Sequence, residues 1–286
     1  MSRSRSWKVI TKLLFYLLVA VIIVYTVFPF YWALRSAITP TGELFSTPVS
    51  YWPSRPTLEH FRAIFSNDLF LRAILNSTIV AGSVTIISLA IGSLAAYALG
   101  RFKFRGRTPV MYIILSMTVF PQIAVLSALF QLVNFLHLFD TLGALILTYL
   151  IFTLPFTVWV LITFFRSMPQ ELEQAAYVDG ATPFQTFRLV LLPLAAPGIV
   201  TSGLLAFIAA WNEFLYALSF IQTPQKRTIT FALQAFTPEN AATSNFAVPW
   251  GQIMAATLVV TLPLIVLTLI FQRRIIAGLT AGSIKG

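Results

Sequence analysis

Six stretches of the chain are apolar on every face for long enough to cross a bilayer: residues 13–34, 71–99, 110–132, 142–165, 199–221 and 254–271. A hydrocarbon core about 30 Å thick takes about 20 residues at a rise of about 1.5 Å each, so the pattern predicts six transmembrane helices. Helices are required because backbone N–H and C=O groups find no water to bond inside the hydrocarbon. In the second stretch Ser88, Gly92 and Ala96 recur every four positions. That spacing puts three small residues on one helix face and predicts a close approach by another helix. Pro121, Pro155 and Pro263 fall within the third, fourth and sixth stretches, where each removes a helix hydrogen bond and predicts a bend. Polar positions collect after the first, fourth and fifth stretches, and no internal repeat or low-complexity segment interrupts the pattern.

Composition strengthens this reading. The 286 residues are 58% hydrophobic and only 10% charged, against about 25% charged in soluble domains, and the mean hydropathy is +0.84. A single all-α membrane domain over 1–286 is the expected fold class. Cysteine is absent, which excludes disulfides, thiolate metal sites and cysteine nucleophiles. The first apolar stretch exceeds the roughly 7–15 residues of a signal-peptide core and lacks a small-residue cleavage pattern, so it is read as a retained anchor.

The net charge of +10 would suit nucleic acid, but the basic residues sit beside apolar spans rather than on a soluble face. Cytoplasmic loops carry the excess of Lys and Arg. The N-terminus, the segment with Arg101, Lys103, Arg105 and Arg107, the segment with Arg166 and Arg188, and a tail over 272–286 hold 13 of the 19 basic residues. Both termini are therefore expected in the cytoplasm, and a nucleic-acid partner is not.

The cytoplasmic segment between the fourth and fifth stretches, 167–193, reads as two short helices. Ser167 with Gln170 and Thr182 with Gln185 each have capping-box spacing, Pro169 and Pro183 suit first turns, and Glu171 and Glu173 favour a positive helix start. Asp179-Gly180 breaks the first helix, giving a helix-turn-helix elbow. Leu172, Ala175 and Ala176 share one face of that first helix, predicting a small apolar surface that suits a groove. The other reading, an amphipathic helix lying on the membrane, is disfavoured by such short side chains.

This segment resembles the Glu-Ala-Ala loop of ATP-binding-cassette (ABC) importer permeases, whose pattern is Glu-Ala-Ala, three residues, Gly, nine residues, Ile-x-Leu-Pro. Here Gln174-Ala175-Ala176 is followed by Gly180 and by Val190-Leu191-Leu192-Pro193 without a gap. Gln174 replaces the family glutamate; it cannot supply charge to an ATPase arginine, though its amide can hydrogen-bond. Trp211-Asn212-Glu213-Phe214 and the ending from Gly278 to Gly286 are similar to the maltose and trehalose branch of carbohydrate permeases. The resemblance implies a type I importer permease with six spanning helices and a coupling helix between the fourth and fifth. Its ATPase-coupling residues would be Glu171, Leu172, Glu173, Gln174, Ala175, Ala176, Asp179, Gly180 and Ala181. It further implies a tail, through Gly278, Leu279, Thr280, Ala281 and Gly282, near the ATPase dimer. The implied partners are a homologous second permease, two ATPase subunits, an extracytoplasmic solute-binding protein that touches the loop after the fifth span, and membrane lipid. The implied location is the bacterial plasma membrane and the implied solute a sugar, with maltose or trehalose first to test.

Other chemistry is scarce. No G-x-x-x-x-G-K-[ST] run occurs, so this chain should bind no nucleotide or other cofactor; ATP and Mg belong to the partner ATPase. Catalytic residues are not expected. His60 and His137 fall in predicted external loops without clustered carboxylates and are read as surface residues, with no metal site. Glu213 lies inside the fifth stretch, where a carboxylate costs about 2.5–3.5 kcal/mol on insertion scales. Together with Trp211, Asn212 and Tyr216 it either faces a pathway for a hydroxyl-rich solute or bonds a neighbouring helix. Two other functions remain open: an ion-coupled secondary transporter, which calls for paired ionisable groups near the midplane, and a permease of the same family for another solute such as a glycerol phosphate.

Overall fold

The computed structural model describes residues 5–234 and 248–280, and no strand occurs among them. In chain order the helices are α1 (Arg5–Ala37), α2 (Glu59–Phe65), α3 (Asp68–Arg101), α4 (Arg107–Val119), α5 (Gln122–Phe135) and α6 (Leu142–Ser167). There follow α7 (Glu171–Val178), α8 (Pro183–Thr186), a π-helical turn at Phe187–Leu191, α9 (Leu192–Leu194), α10 (Ala196–Asn212), α11 (Leu215–Phe220), α12 (Ile229–Gln234) and α13 (Trp250–Thr280). Among the described residues four segments, Ile10–Ala37, Asp68–Arg101, Leu142–Ser167 and Trp250–Arg273, are long and apolar enough to cross a membrane, and the number rises to six if each of two bent pairs counts as one span.

The third and fifth predicted spans are not single rods. α4 and α5 meet at 100°. Phe120, preceding Pro121, is extended at ψ 132°, because a proline ring pushes the residue before it out of the helical region. The fifth breaks after Asn212, with α11 resuming at Leu215 after a two-residue gap, and the segment Pro183–Leu194 enters α10 at 77°. Pro155 and Pro263 lie inside continuous helices. The tail predicted from residue 272 remains helical through Thr280, in line with a run that lacks proline.

Two compact units make up the chain. In the unit of Asp68–Gln234 with Leu262–Gly286, α3, α6 and α10 pack on one another. The small-residue face of α3 carries that contact: a Cβ at Gly92 would lie 2.9 Å from the Thr157 methyl and one at Gly100 3.2 Å from Phe165 Cβ. The hydroxyls of Ser88 and Thr153 are 3.0 Å apart on the same seam. α10 approaches through its own small residues, since a Cβ at Gly198 would fall 2.5 Å from the Phe164 ring and one at Gly203 2.9 Å from Leu89. Dispersion between closely approaching backbones is what holds helices together where lipid removes the hydrophobic drive.

The second unit is Met1–Asn67 with Ala235–Thr261. The apolar window of α1 has no buried positions, so its side chains face outward all round. His60, expected at the surface, is instead 3% exposed. Its Nε2 lies 2.9 Å from the Thr39 carbonyl oxygen, and α13 passes so near that a Cβ at Gly251 would sit 2.2 Å from the ring. Glycine there gives the imidazole its space, a relation between residues 191 positions apart that a loop assignment could not reveal.

Candidate functional site

The elbow is built by local punctuation. Met168 is extended (φ −75°, ψ 141°) because Pro169 follows, which ends α6. The expected capping box at Ser167 does not form: α6 runs through Ser167, whose hydroxyl donates back to the Phe164 carbonyl at 2.8 Å. α7 then starts with Glu171 and Glu173 in its first turn, where carboxylates meet the unpaired N–H groups of the helix start. It stops at Gly180, φ +80°. The Ala181 N–H donates to Ala176 O at 2.9 Å and the Gly180 N–H to Tyr177 O at 3.0 Å, closing the helix with a left-handed residue that glycine adopts without strain. Thr182 and Gln185 form the second capping box as expected, the Gln185 N–H reaching the Thr182 hydroxyl at 3.3 Å and the Thr182 N–H reaching Gln185 Oε1 at 2.8 Å. Pro193 cannot donate to the carbonyl four residues back, and the wider π-helical turn upstream accommodates the missing bond.

The elbow is fixed to the bundle by residues outside it. Arg101, at the end of α3, donates to the carbonyls of Phe165 at 3.2 Å, Met168 at 2.9 Å and Pro169 at 3.2 Å, and pairs with Glu173 at 3.0 Å. One guanidinium thus satisfies the C-terminal carbonyls of α6 and grips the first turn of α7. Arg107 does the same service for α3, donating to Leu99 O at 2.8 Å and Gly100 O at 3.0 Å. Beneath lies an apolar cluster that includes Tyr97, Leu161, Phe165, Phe187 and Leu191, with Leu172 packed against it. The Tyr97 ring meets Phe102, Phe165 and Phe187, and its hydroxyl donates to Pro183 O at 3.3 Å.

The outward surface differs from the one the helical wheel suggests. Leu172 and Ala176 turn inward, Ala176 being buried, because the cluster below the elbow offers them an apolar bed. Glu171, Gln174, Ala175, Val178, Asp179 and Gly180 are exposed, Glu173 is half-buried against Arg101, and Ala181 is half-buried. Along the chain nothing distinguishes Arg101 from the other basic residues beside a span.

The second group of candidate residues surrounds the break in the fifth span. Glu213 is buried, and its carboxylate accepts from the N–H groups of Tyr216 at 2.8 Å and Ala217 at 3.2 Å, so it caps the start of α11. Its own carbonyl accepts from the Thr230 hydroxyl at 2.7 Å. Trp211 is buried and stacks on Phe207 with 5.6 Å between ring centroids. Tyr216 is buried, and its hydroxyl donates to Gln122 O at 3.1 Å, which ties this break to the one between α4 and α5. A pocket of about 210 Å³ lined by Ser116, Met117, Gln122, Phe152 and Tyr216 opens beside that tie. Asn212 is exposed, with its amide returned to Ile208 O at 3.0 Å. Of the four residues, Glu213 and Tyr216 brace the break, Trp211 packs within α10 and Asn212 faces outward.

At the other end of α6, Asp140 accepts from the N–H groups of Gln222 and Thr223, both at 2.9 Å, from the Thr223 hydroxyl, and from Lys226 Nζ at 3.0 Å. Burial alone would raise its carboxyl, but the bonds from Thr223, Gln222 and Lys226 outweigh it and hold the group well below the usual carboxylate range. No group of three metal-ligating side chains occurs among the described residues. Of the tail residues, Gly278, Leu279 and Thr280 end α13, whereas Ala281 and Gly282 lie outside the described residues, as do residues 235–247 of the loop after the fifth span, the loop expected to touch a binding protein.

Residues 88–280 match the family model described as the binding-protein-dependent transport system inner membrane component. The chain is 42% identical to the trehalose transport system permease protein of Mycobacterium tuberculosis, over 99% of this chain and 98% of that one. It is 36% identical to the trehalose/maltose transport system permease protein of Thermococcus litoralis, over 91% of each. The fold matches a chain in the crystal structure of a bacterial ABC transporter involved in the import of the acidic polysaccharide alginate, with a TM-score of 0.82 at 20% identity, covering 96% of this chain and 99% of that one.

Proposed function

Since the chain belongs to the family of binding-protein-dependent transport inner membrane components, we propose that it forms half of the translocation pathway of an ATP-driven sugar importer. The observation that carries this reading is the elbow: a short helix with an exposed Gln174-Ala175 face and a left-handed Gly180, gripped from behind by Arg101. Such a part transmits force, because a push on α7 reaches α3 and α6 through a guanidinium and a packed aromatic cluster rather than through a slack loop. The pusher is a separate ATPase dimer, which holds the ATP and Mg; this chain binds no cofactor or metal and catalyses nothing. Glu171, Leu172, Glu173, Gln174, Ala175, Ala176, Asp179, Gly180 and Ala181 form the coupling surface and its backing, and the tail from Gly278 to Gly282 makes a second contact with the ATPase.

Both termini lie in the cytoplasm, and a homologous permease and an extracytoplasmic binding protein complete the importer. Two relatives named for trehalose or for trehalose and maltose support a disaccharide as cargo. Asn212 is the pathway candidate, being exposed beside the break that Glu213 and Tyr216 brace. An ion-coupled mechanism finds no support in Glu213, whose oxygens accept from backbone amides and which forms no ion pair among the described residues.

The test is to copurify the complex, reconstitute it in vesicles and measure ATP hydrolysis with the binding protein loaded with each sugar in turn. Trehalose or maltose should stimulate; stimulation by neither removes the disaccharide assignment. Uptake by Asn212→Ala should fall while ATPase stimulation persists, and unchanged uptake takes Asn212 out of the pathway.

A further inference from the structure

Within the unit of Met1–Asn67 and Ala235–Thr261 lies a pocket of about 270 Å³ whose walls include Trp32, Arg35, Ser36, Phe45, Trp250 and Met254. We propose that it binds the phosphate group of a membrane phospholipid. Arg35 is 3% exposed, and its Nε has no hydrogen-bond partner. No acidic side chain among the described residues comes within ion-pair distance of it. The carboxylate near enough to feel its charge, Glu43, has one oxygen taken by the Ser54 N–H at 3.2 Å and the other by the Ser54 hydroxyl. Among the described residues, the one close contact given for the guanidinium is with the Trp32 ring, 5.2 Å from its centroid, and a cation–π contact alone does not repay the several kcal/mol that burying a cation costs. A buried, unpaired guanidinium lining an open pocket calls for an anion.

Depth selects which anion. Trp32 and Arg35 lie in the last turns of the membrane-length segment Ile10–Ala37, and Trp250 is the first residue of the segment Trp250–Arg273. Helix ends of this kind lie at the headgroup level, where tryptophan rings gather and lipid phosphates sit. The planar guanidinium matches two phosphate oxygens at once. Ser36, buried on the same wall, adds a hydroxyl, and Met254 and Phe45 give the glycerol backbone an apolar surface. The site is independent of the transported solute.

The experiment uses native mass spectrometry of the full chain in its complex, stripped in detergent and titrated with phosphatidylglycerol. Wild type should retain one lipid that Arg35→Gln loses, with apparent affinity falling about tenfold or more and Arg35→Lys falling between. Diacylglycerol, which lacks the phosphate, should not occupy the site, and millimolar inorganic phosphate should not displace the lipid. Equal retention by folded Arg35→Gln, tight binding of diacylglycerol, or displacement by inorganic phosphate would each overturn the proposal, the last by assigning the pocket to a free anion. If Arg35→Gln fails to assemble, Trp250→Ala keeps the cation and removes a wall; it should weaken retention several-fold, and undiminished retention there counts against the site equally.

Discussion

Each end of α6 is tied by one charged side chain, and the two ties use opposite chemistry. At the Ser167 end a cation, Arg101, donates to three carbonyls and one carboxylate. At the Leu142 end an anion, Asp140, accepts from two amides, a hydroxyl and an ammonium. The signs follow from what each meets: the end of α6 presents unpaired carbonyls, whereas the turn after α11 presents unpaired N–H groups. The environments differ too. Side-chain exposure is 5% and 14% for Arg101 and Glu173 but 21% and 44% for Asp140 and Lys226, so water competes for the second tie and hardly for the first. The buried tie should therefore carry the mechanical load.

The comparison breaks first at Arg101. Arg101→Ala leaves Glu173 half-buried without its cation and three carbonyls without a donor, which should cost about 3 kcal/mol. The expected outcome is a lower thermal midpoint of the purified complex and loss of sugar-stimulated ATP hydrolysis. Arg101→Lys, a point charge that cannot span the same acceptors, should recover stability more than coupling. Full stimulation in Arg101→Ala would detach this residue from force transmission.

A smaller effect is expected from Gly180→Val, which leaves the Arg101 tie intact. No atom lies within 4 Å of a Cβ placed there, so the penalty is the left-handed backbone at φ +80°, about 1–2 kcal/mol. The elbow should loosen at α7 alone, lowering stimulated hydrolysis while basal hydrolysis and assembly persist.

What could be read from the chain and what could not follows the same division. Gly180, the Thr182–Gln185 box and the Ser88–Gly92–Ala96 face were legible because each acts within a few residues, or through a repeat that the helix period projects onto one side, whereas Pro169 ends α6 instead of entering the first turn of α7. The inward turn of Leu172 and Ala176, the burial of His60, the role of Arg101 and the Asp140 tie were not. Each depends on a partner far along the chain: Arg101 and Glu173 are 72 positions apart, and Lys226 and Asp140 are 86 apart. Glu213 stands between the cases. Its cost in a bilayer marked it, but that it would be satisfied by amides three and four residues on, at the point where the span breaks, required the backbone path.

The exposed tie gives the smallest effect and the cleanest pH signature. The folded Asp140 carboxyl is held well below its ordinary value, near 3.9 for a free side chain. In the unfolded chain the proton binds more readily, so the contribution of Asp140 is fully present above about pH 4 and is lost as pH falls toward the folded value. Thermal stability of wild type should hence show no Asp140 contribution to its slope between about pH 5 and 8 and should decline below about pH 4. Asp140→Asn removes the acceptor pair for Thr223 and the partner of Lys226, so its midpoint should fall slightly at neutral pH, with the gap to wild type closing as both are acidified. Because Lys226 is 44% exposed, its share of that gap should shrink in high salt, while the share from the amides of Gln222 and Thr223 should not. A gap that stays constant down to pH 3 would mean that Asp140 acts by shape rather than by charge, and would leave Arg101 as the one electrostatic tie on α6.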